Sequence, residues 1–317
     1  MTAPLNKARA DAEDPHAELF GPGLLKDRVI LITGGGTGLG RTMARRFGRL
    51  GARVLLGARR EEPLRETVDE LGRGPTDAAY FVTDVRDPES ASKLVEEAFR
   101  KWGRLDVVVN NAAGNFLART ERLSPNAFDS VVRTVLMGTF YVTQAAGRRW
   151  IERKEPGVVL NIVTSYAWTG AAHVVPSASA KAGVLALTRS LAVEWARHRI
   201  RLNALAPGPI PTPGAWERLL PTAELEERIQ RHIPSGRFGR HEELADLATF
   251  LVSDLSSFIT GQVVTLDGGE WLVGNAFQAL REAPESFWEG LEARHREARG
   301  SRPPPGTSQD TDQRTRP

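Results

Sequence analysis

Short apolar segments alternate along this chain with longer segments in which apolar residues recur every three or four positions. Two of the short segments, VVVN at 107–110 and VVLNIV at 158–163, are apolar at nearly every position, as strands buried on both faces are. The pattern predicts strands at 28–33, 53–57, 79–83, 106–110, 158–163, 201–206 and 263–267. It predicts helices at 41–50, 61–71, 88–102, 126–149, 177–198 and 242–253. This alternation indicates an α/β fold: a doubly wound (Rossmann) sheet of about seven parallel strands with helices on both faces.

The two ends of the chain differ from this pattern. Residues 1–23 form a polar N-terminal extension without alternating apolar positions. Residues 297–317, rich in Pro, Arg and Thr, have almost nothing to bury and are predicted to be disordered. We therefore expect one Rossmann-fold domain over 24–278, a helical segment over 279–296 and a disordered tail after it.

The composition argues against several kinds of site. The chain of 317 residues has no cysteine and six scattered histidines, so a disulfide cannot form and a metal centre is not expected. A net charge of +3, with arginines spread along the whole chain, argues against nucleic-acid binding. No apolar run is long enough to span a membrane, and acidic residues near the start argue against a transit peptide. We expect a cytoplasmic protein with a small-molecule ligand.

A glycine-rich segment, TGGGTGLG at 33–40, directly follows the first predicted strand and precedes a helix. Its glycines Gly34, Gly38 and Gly40 permit a tight turn, a close approach of the backbone to a pyrophosphate, and close packing of helix on strand. The helix N-terminus then offers unpaired N–H groups to the phosphates. Two other interpretations stay open: a P-loop variant at 35–42 with Arg41 in place of lysine, and a structural turn without a ligand.

The second predicted strand ends in Gly57-Ala58-Arg59-Arg60. A site that prefers NAD places an acidic residue near this point for the ribose 2′-hydroxyl, whereas Ala58 stands here and two arginines follow. Because a guanidinium can make a paired contact with a 2′-phosphate, the sequence predicts NADP(H) as the cofactor. The alternative is that both arginines are solvated residues at the start of a helix.

Further motifs lie at the carboxyl ends of the predicted strands, where ligands bind in open α/β folds. They are Asp84-Val85 after the third strand, NNAAG at 110–114 after the fourth, and PG at 207–208 and DGG at 267–269 after the last two. Together they resemble the short-chain dehydrogenase/reductase family. The resemblance implies that Asp84 holds the adenine and that the cofactor contacts are Thr33, Gly34, Gly36, Thr37, Gly38, Leu39, Gly40, Arg59, Asp84, Val85, Asn111, Ala112, Lys181, Pro207, Gly208, Pro209 and Ile210.

The catalytic motif of that family is incomplete in this sequence. Lys181 fits the lysine of the family's Tyr-x-x-x-Lys pair, but Ser177 stands where the tyrosine is expected. A serine hydroxyl is far less acidic than a phenol of pKa about 10 and reaches less far, so an ordinary carbonyl reductase is not expected. Tyr80 and Tyr141 fall inside a strand and a helix, where packing is expected. This leaves Tyr166, at the mouth of the cofactor cleft, as the available phenol.

Four longer segments resemble the 2,4-dienoyl-CoA reductases, the mitochondrial type most closely: NNAAGNF at 110–116, TERLSPNAF at 120–128, VVPSASAKAGV at 174–184 and PGPI at 207–210. The resemblance spans about 26–277. It implies three catalytic residues: Tyr166 and Asn115 hydrogen-bond a thioester carbonyl, and Lys181 binds the nicotinamide ribose. It also implies that Arg59 lies near the cofactor phosphate, that the protein is a homotetramer, and that the substrate contacts are Arg86, Asn115, Phe116, Ser124, Tyr166 and Arg218.

The expected activity is therefore NADPH-dependent reduction of 2,4-dienoyl-CoA to 3-enoyl-CoA in the β-oxidation of unsaturated fatty acids. Hydride addition at the far end of the diene places negative charge on the thioester oxygen, which two fixed donors would stabilise as an oxyanion hole. Two alternatives remain. One is another reductase of the same fold, acting on enoyl- or 3-oxoacyl-thioesters; the other is a non-catalytic NADP(H)-sensing protein, suggested by the broken Tyr-x-x-x-Lys motif.

Overall fold

Segments rich in Val, Ile and Leu form the strands of one sheet, because their side chains can be buried on both faces. The structure is a computed structural model that describes residues 20–212, 222–274 and 276–300. Within these residues the strands are β1 (Val29–Thr33), β2 (Arg53–Ala58), β3 (Ala78–Val82), β4 (Val107–Asn110), β5 (Gly157–Ile162), β6 (Ile200–Pro207) and β7 (Val263–Leu266).

The sheet is parallel throughout, with the strand order β3-β2-β1-β4-β5-β6-β7. Strand β1, the third in this order, pairs with β2 on one side and β4 on the other, so that Ile30 lies opposite both Val54 and Val107. The strand order reverses at β1. In open α/β sheets a crevice forms at this reversal, outside the carboxyl ends of the strands, and ligands bind there.

Helices alternate with the strands along the chain. They are α1 (Gly38–Arg49), α2 (Glu61–Gly72), α3 (Pro88–Trp102), α4 (Pro125–Val132), α5 (Gly138–Arg153), α6 (Tyr166–Thr169), α7 (Val175–Trp195), α8 (Ala223–His232), α9 (His241–Val252) and α10 (Glu285–Gly300). A π-helical turn, Arg133–Met137, joins α4 to α5. Short 3₁₀ turns occur at Thr120–Arg122, Ala196–His198, Asp254–Ser256, Glu270–Leu272 and Ala276–Glu282. No helix in the described part of the chain is long and apolar enough to cross a membrane.

Two apolar layers, one on each face of the sheet, pack against helices that include α1, α3 and α5. Successive side chains of a strand point to opposite faces, so Ile30 shares a buried cluster with Phe47 of α1, whereas Leu31 shares another with Leu94 of α3 and Trp150 of α5. All five of these side chains are fully buried. The doubly wound α/β arrangement predicted from the sequence is confirmed.

The prediction places the strands correctly, but it represents the fourth helical region as one helix over 126–149. The structure instead has α4, the π-helical turn and α5, ending at Arg153. Helix α4 begins one residue earlier than predicted because Pro125 occupies its first turn and the Ser124 hydroxyl accepts a hydrogen bond from Ala127 N at 3.2 Å. At the other end Lys154, in the left-handed region at φ 55°, terminates α5.

Two further differences concern elements with little apolar periodicity. Helix α8 was not predicted, because most of its residues are polar and show no strong apolar periodicity. Its N-cap is Thr222, whose hydroxyl accepts a hydrogen bond from the backbone N–H of Leu225. The helical segment expected over 279–296 is observed as a 3₁₀ turn and α10, which continues to Gly300. Helix α10 thus extends four residues past the start of the predicted tail at 297, and an ion pair between Glu292 and Arg296 at 3.6 Å lies in the turn before it.

The described chain consists of two compact units, residues up to Trp271 and residues from Leu272 onward. The first contains the whole sheet. The second contains α10, where the rings of Phe287 and Trp288 meet edge to face at 5.2 Å. Most of the predicted N-terminal extension (1–19) and of the predicted tail (301–317) lie outside the described residues.

Candidate active site

The glycine-rich turn between β1 and α1 has the conformation that its sequence predicts. Gly38 opens α1 at φ 51°, a region that favours glycine. Gly40 has no space for a side chain, because a Cβ atom there would overlap the carbonyl oxygen of Gly34. The backbone of this turn can therefore approach a ligand closely, and the N–H groups at the start of α1 face the crevice.

A pair of polar side chains holds this turn against the loop after β4. The Thr33 hydroxyl accepts hydrogen bonds from the backbone N–H groups of Asn111 and Ala112 at 3.1 and 3.0 Å. The Asn111 side-chain amide donates to the carbonyl oxygens of Thr33 and Gly34 at 3.0 and 3.1 Å. Thr33 is itself buried, so its place is beneath the crevice and its contribution is to fix the two loops side by side.

A cavity of about 920 Å³ opens at this point, within the size range of small-molecule and cofactor sites. Ten of the predicted cofactor residues line it: Gly34, Gly36, Thr37, Gly38, Leu39, Arg59, Asp84, Val85, Asn111 and Ala112. Gly36 is packed so closely that an added Cβ would lie 3.0 Å from the backbone of α2. A glycine cradle at a helix N-terminus, in a cavity of this volume, fits the pyrophosphate of a dinucleotide.

Arginine side chains give one end of this cavity a positive charge. Arg59 and Arg60 are exposed and line it, as do Arg41 and Arg45. Arg41 and Arg45 each lie 2.6 Å from the carboxylate of Glu70, which holds both guanidinium groups in place. Sequence reasoning considered Arg41 only as a substitute for a P-loop lysine and missed Arg45, because the α1 residues that face the crevice cannot be identified from the motif alone.

Asp84 and Arg86, predicted to contact cofactor and substrate respectively, pair with each other in the structure. The Arg86 guanidinium makes a forked contact with the Asp84 carboxylate, with Nη2 2.6 Å from Oδ2 and Nε 2.9 Å from Oδ1. Hydrogen bonding from Arg86 holds the pKa of Asp84 below its usual value, and the charge of Arg59 contributes in the same direction. Asp84 therefore stays ionised at the edge of the cavity.

Three polar side chains meet beyond the ends of β4 and β5. Tyr166 opens α6, and its Oη accepts a hydrogen bond from Asn115 Nδ2 at 3.2 Å and lies 3.1 Å from Ser177 Oγ. Asn115 Oδ1 accepts from the backbone N–H of Phe116 at 2.9 Å, which fixes the orientation of the amide. The second N–H of Asn115 Nδ2 has no hydrogen-bond partner within the described residues, so a ligand oxygen can accept it.

Lys181 lies one helical turn after Ser177 on α7, and both side chains are buried. Its ammonium group donates to the main-chain carbonyl of Ile162, the last residue of β5. Burial lowers the pKa of Lys181 to about 8. The predicted trio of Asn115, Tyr166 and Lys181 is thus positioned by two adjacent strand ends and one helix, and Ser177 joins it.

The other predicted residues have local structural contacts. Phe116 is partly buried against the apolar cluster that contains Val131 and Val184, and Ser124 caps α4. Pro207 ends β6, and Gly208, Pro209 and Ile210 follow it. None of the four lines the cavity, and a Cβ at Gly208 would lie 2.5 Å from that of Asp267. Arg218 lies outside the described residues.

Three cavity residues were missed because they come from distant parts of the sequence. Thr134 reaches the cavity from the π-helical turn, Thr212 from the loop after β6, and His241 from the first position of α9. π-Helical turns are frequent at functional sites, yet no sequence signal for this one is evident. The proximity of His241 likewise depends on the packing of α9 against α1.

Comparison with known proteins identifies the family. A family model described as enoyl-(acyl carrier protein) reductase matches residues 34–270. A probable 2,4-dienoyl-CoA reductase of Bacillus subtilis, described as (2E)-enoyl-CoA-producing, is 46% identical over 249 residues, which are 78% of this chain and 98% of that protein. This chain belongs to the short-chain dehydrogenase/reductase family. The family resemblance is confirmed, and membership in a nicotinamide-dependent family excludes the P-loop interpretation of the glycine turn.

Two further comparisons agree with this family. A probable 2,4-dienoyl-CoA reductase of Caenorhabditis elegans, described as (3E)-enoyl-CoA-producing, is 44% identical over 259 residues, or 80% of this chain and 84% of that protein. The crystal structure of a short-chain dehydrogenase from Bacillus anthracis, 43% identical, superimposes with a TM-score of 0.72 and covers 78% of this chain and 97% of that one. The short-chain dehydrogenase/reductase described here is therefore an oxidoreductase with a nicotinamide cofactor site.

Proposed function

We propose that this protein reduces 2,4-dienoyl-CoA thioesters to 3-enoyl-CoA with NADPH, as a step in the β-oxidation of unsaturated fatty acids. The observation that carries the proposal is the hydrogen-bonded group of Asn115, Tyr166 and Ser177 at the strand ends, one helical turn from Lys181. An ordinary carbonyl reductase of the family would need a phenol at position 177. Here the phenol comes from the loop after β5, and the serine orients it.

Asn115 and Tyr166 act on the thioester oxygen. Asn115 Nδ2 and Tyr166 Oη lie 3.2 Å apart, close enough for the second N–H of Asn115 and the hydroxyl to donate to a single oxygen. When bound, NADPH supplies the hydride, and electron density moves through the diene onto the thioester oxygen. Two donors already fixed in place stabilise that charge without reorganising, and removing one such donor typically lowers the rate ~10²–10³-fold.

Lys181 holds the nicotinamide ribose in this proposal, since its ammonium group is buried at the end of β5, one helical turn after Ser177 on α7. Phe116 and Ser124 contact the acyl-CoA substrate in this proposal. Arg86 and Arg218 contribute positive charge for the phosphates of coenzyme A, which arginine binds well. Binding of the phosphates by Arg86 would require it to leave, or share, the carboxylate of Asp84.

NADP(H) is preferred over NAD(H) in this proposal because of the charge at the end of β2. Ala58 leaves no acidic group there for a ribose 2′-hydroxyl, while Arg59 and Arg60 extend into the cavity edge. Replacing both arginines by alanine should raise the Kd of NADPH roughly 10–100-fold, the value of charge-assisted hydrogen bonds, with little effect on NADH. Arg65→Ala is the matched control, since Arg65 is exposed on α2 and does not line the cavity. Equal weakening of both cofactors would contradict the preference.

The position of the double bond in the product has a competing candidate. Protonation of the dienolate at the α-carbon gives 3-enoyl-CoA, whereas protonation at the γ-carbon gives 2-enoyl-CoA. The Bacillus subtilis relative is described as forming the second product, and this favours 2-enoyl-CoA as the alternative. Our preference for 3-enoyl-CoA rests on the sequence segments that resemble the mitochondrial reductases.

Purified protein mixed with NADPH and 2,4-hexadienoyl-CoA tests both the proposed substrate and the position of the double bond in the product. We expect the absorbance of the cofactor and that of the diene to fall together, and NMR of the product to show an isolated double bond. A double bond conjugated with the thioester would establish the alternative product. Turnover of a 3-oxoacyl-CoA without turnover of the dienoyl-CoA would defeat the proposed substrate, and cofactor binding without turnover of any thioester would favour a sensor.

The proposal includes a homotetramer in the cytoplasm. Its support is the family resemblance of α4, α5 and α7, together with exposed apolar side chains such as Val193 of α7, which is 81% exposed. The Bacillus subtilis relative, matched over nearly its whole length, is consistent with a bacterial enzyme of the cytoplasm.

A further inference from the structure

His241, the first residue of α9, makes two hydrogen bonds at the edge of the cofactor cavity. Its Nδ1 lies 2.9 Å from the hydroxyl oxygen of Thr42 in α1, and its Nε2 lies 2.6 Å from the carbonyl oxygen of Pro211 in the loop after β6. In the sequence, His241 is 199 positions from Thr42 and 30 positions from Pro211. The imidazole ring therefore connects three elements that the chain itself does not join.

The chemistry of the partners fixes the role of one ring nitrogen. A main-chain carbonyl can only accept, so the Pro211 oxygen requires a hydrogen on Nε2 of His241. Nδ1 meets the Thr42 hydroxyl, which also donates to the carbonyl oxygen of Gly38 at 3.2 Å. Both nitrogens are occupied, which leaves neither available as a proton donor or acceptor for a substrate. The ring is built as a bridge between α1 and the loop.

The loop that His241 holds lies directly over the glycine turn. A Cβ atom added to Gly38 would lie 3.5 Å from the Thr212 side chain, and both residues line the cavity. Backbone hydrogen bonds secure the start of the loop, from Gly208 N to Leu266 O at 2.9 Å and from Gly239 N to Pro209 O at 3.0 Å. Within the described residues, the bond from His241 to Pro211 is the restraint nearest to Thr212.

We propose that His241 is a positioning residue that holds Pro211 and Thr212 over the pyrophosphate side of the cofactor cradle. A loop that is ordered before the cofactor arrives loses less conformational freedom on binding, and the affinity rises accordingly. The inference depends on the cofactor cradle alone. It stands whether the thioester is a dienoyl-CoA or another acyl-CoA, and the cofactor-free protein can test it.

Hydrogen–deuterium exchange without cofactor provides the first test. In His241→Phe, which keeps a ring of similar size but makes neither bond, we expect faster exchange in the peptide that contains the amides of Ile210 and Thr212. The peptide containing β1, whose residues are fully buried, serves as the internal reference and should not change. Unchanged exchange at Ile210 and Thr212 would overturn the proposal.

Cofactor affinity, measured by fluorescence titration, provides the second test of the proposal. Loss of one hydrogen bond that orders the loop should raise the Kd of NADPH roughly tenfold in His241→Phe, with little effect on the Kd of the acyl-CoA. His241→Gln places an amide N–H near the position of Nε2 and should restore most of the affinity, and Thr42→Ser, which keeps the hydroxyl, should resemble the wild type. Thr42→Val should show part of the loss.

The combined pattern separates positioning from plain structural support. A purely structural role predicts that all variants lower the unfolding temperature while NADPH affinity remains at the wild-type value, which would overturn the proposal. Equal weakening of NADPH and acyl-CoA binding would also overturn it, because the restraint would then not be specific to the cofactor side. Failure of the dienoyl-CoA assay would leave these measurements unaffected.

Discussion

At the scale of single residues, the proposed chemistry depends most on the hydroxyl of Tyr166. Tyr166→Phe keeps the ring but removes the oxygen that meets Asn115 and Ser177. We expect turnover of the dienoyl-CoA to fall ~10²–10³-fold, because one donor to the developing oxyanion is lost. The Kd of NADPH should not change, since Tyr166 is not among the residues lining the cofactor cavity.

Steady-state kinetics and a cofactor titration on the same preparation measure the two effects separately. Tyr141→Phe is the matched control, because Tyr141 packs against the apolar cluster of α3 and α5. If Tyr166→Phe weakened turnover and NADPH binding equally, the hydroxyl would belong to the cofactor site and its assignment to the thioester would be wrong.

Lys181 gives a second residue-scale prediction, which concerns pH. Burial lowers its pKa from 10.5 in the unfolded chain to about 8 in the folded protein. Between these two pH values the unfolded chain binds more protons, so the folded state gains stability as the pH rises. Relative to Lys181→Met, the free energy of unfolding of the wild type should increase by up to about 3 kcal/mol from below pH 8 to pH 10.5. Urea titrations of both proteins across this range measure it, and a difference independent of pH would contradict it.

The sequence identifies some of these residues better than others. Asn115 was predicted from the resemblance to the 2,4-dienoyl-CoA reductases, and Tyr166 from that resemblance and as the one tyrosine outside a predicted strand or helix. Both lie within a few residues of a predicted strand end, and strand ends of a parallel sheet gather at one edge. The contact between Tyr166 and Ser177 could not be predicted, since it depends on how α7 lies against the loop after β5. The pairing of Arg86 with Asp84 was missed for a different reason: both were given separate ligands, although residues two apart in a loop can bond each other.

At the scale of elements, the packing of α9 on α1 includes a buried ion pair. The Arg46 guanidinium donates to the Asp246 carboxylate, and both side chains are buried. Asp246→Ala leaves the arginine charge buried without this partner, which typically destabilises a protein by about 3–5 kcal/mol. Thermal or urea unfolding measures the change.

The exposed pair of Arg28 and Asp254 provides the comparison for this measurement. Its two groups lie 2.5 Å apart, but the Asp254 side chain is 83% exposed. An exposed pair contributes about 0–1 kcal/mol, so Asp254→Ala should have a much smaller effect than Asp246→Ala. Similar losses for the two variants would mean that water reaches Arg46 and that the α1–α9 contact is looser than its packing suggests.

Elements with strong periodicity were predictable, and those determined by tertiary contacts were not. The strands are identified by runs of β-branched residues that only a buried sheet accommodates. The break between α4 and α5 leaves no trace in the apolar pattern, because a π-helical turn adds a residue to the turn without changing residue type. It places Leu136 against Gly183 of α7, where an added Cβ would be 2.8 Å from the leucine side chain. The packing of the π-helical turn against α7 therefore could not be predicted from the apolar pattern alone.

At the scale of the whole molecule, exposed apolar side chains on the sheet-containing unit suggest where copies of the chain meet. Val193 at the end of α7 is 81% exposed, and Phe258, after the 3₁₀ turn Asp254–Ser256, is fully exposed. The segments that carry them pack together, because a Cβ on Gly261 would lie 3.4 Å from Ala192, the residue before Val193. Exposed apolar side chains that together form one contiguous patch mark contact surfaces.

We therefore expect a homotetramer whose assembly depends on this surface. The double variant Val193→Lys, Phe258→Lys places charges where a second copy would have to cover them without partners, and burial of unpaired charge is strongly unfavourable. Analytical ultracentrifugation should show a shift from four chains to fewer. Val82→Lys is the control. Val82 is 46% exposed and lies in the edge strand β3, so this variant should leave the mass of the assembly unchanged. A tetramer that survives the double variant would place the interface elsewhere, and a wild-type monomer would remove the reason for these apolar groups.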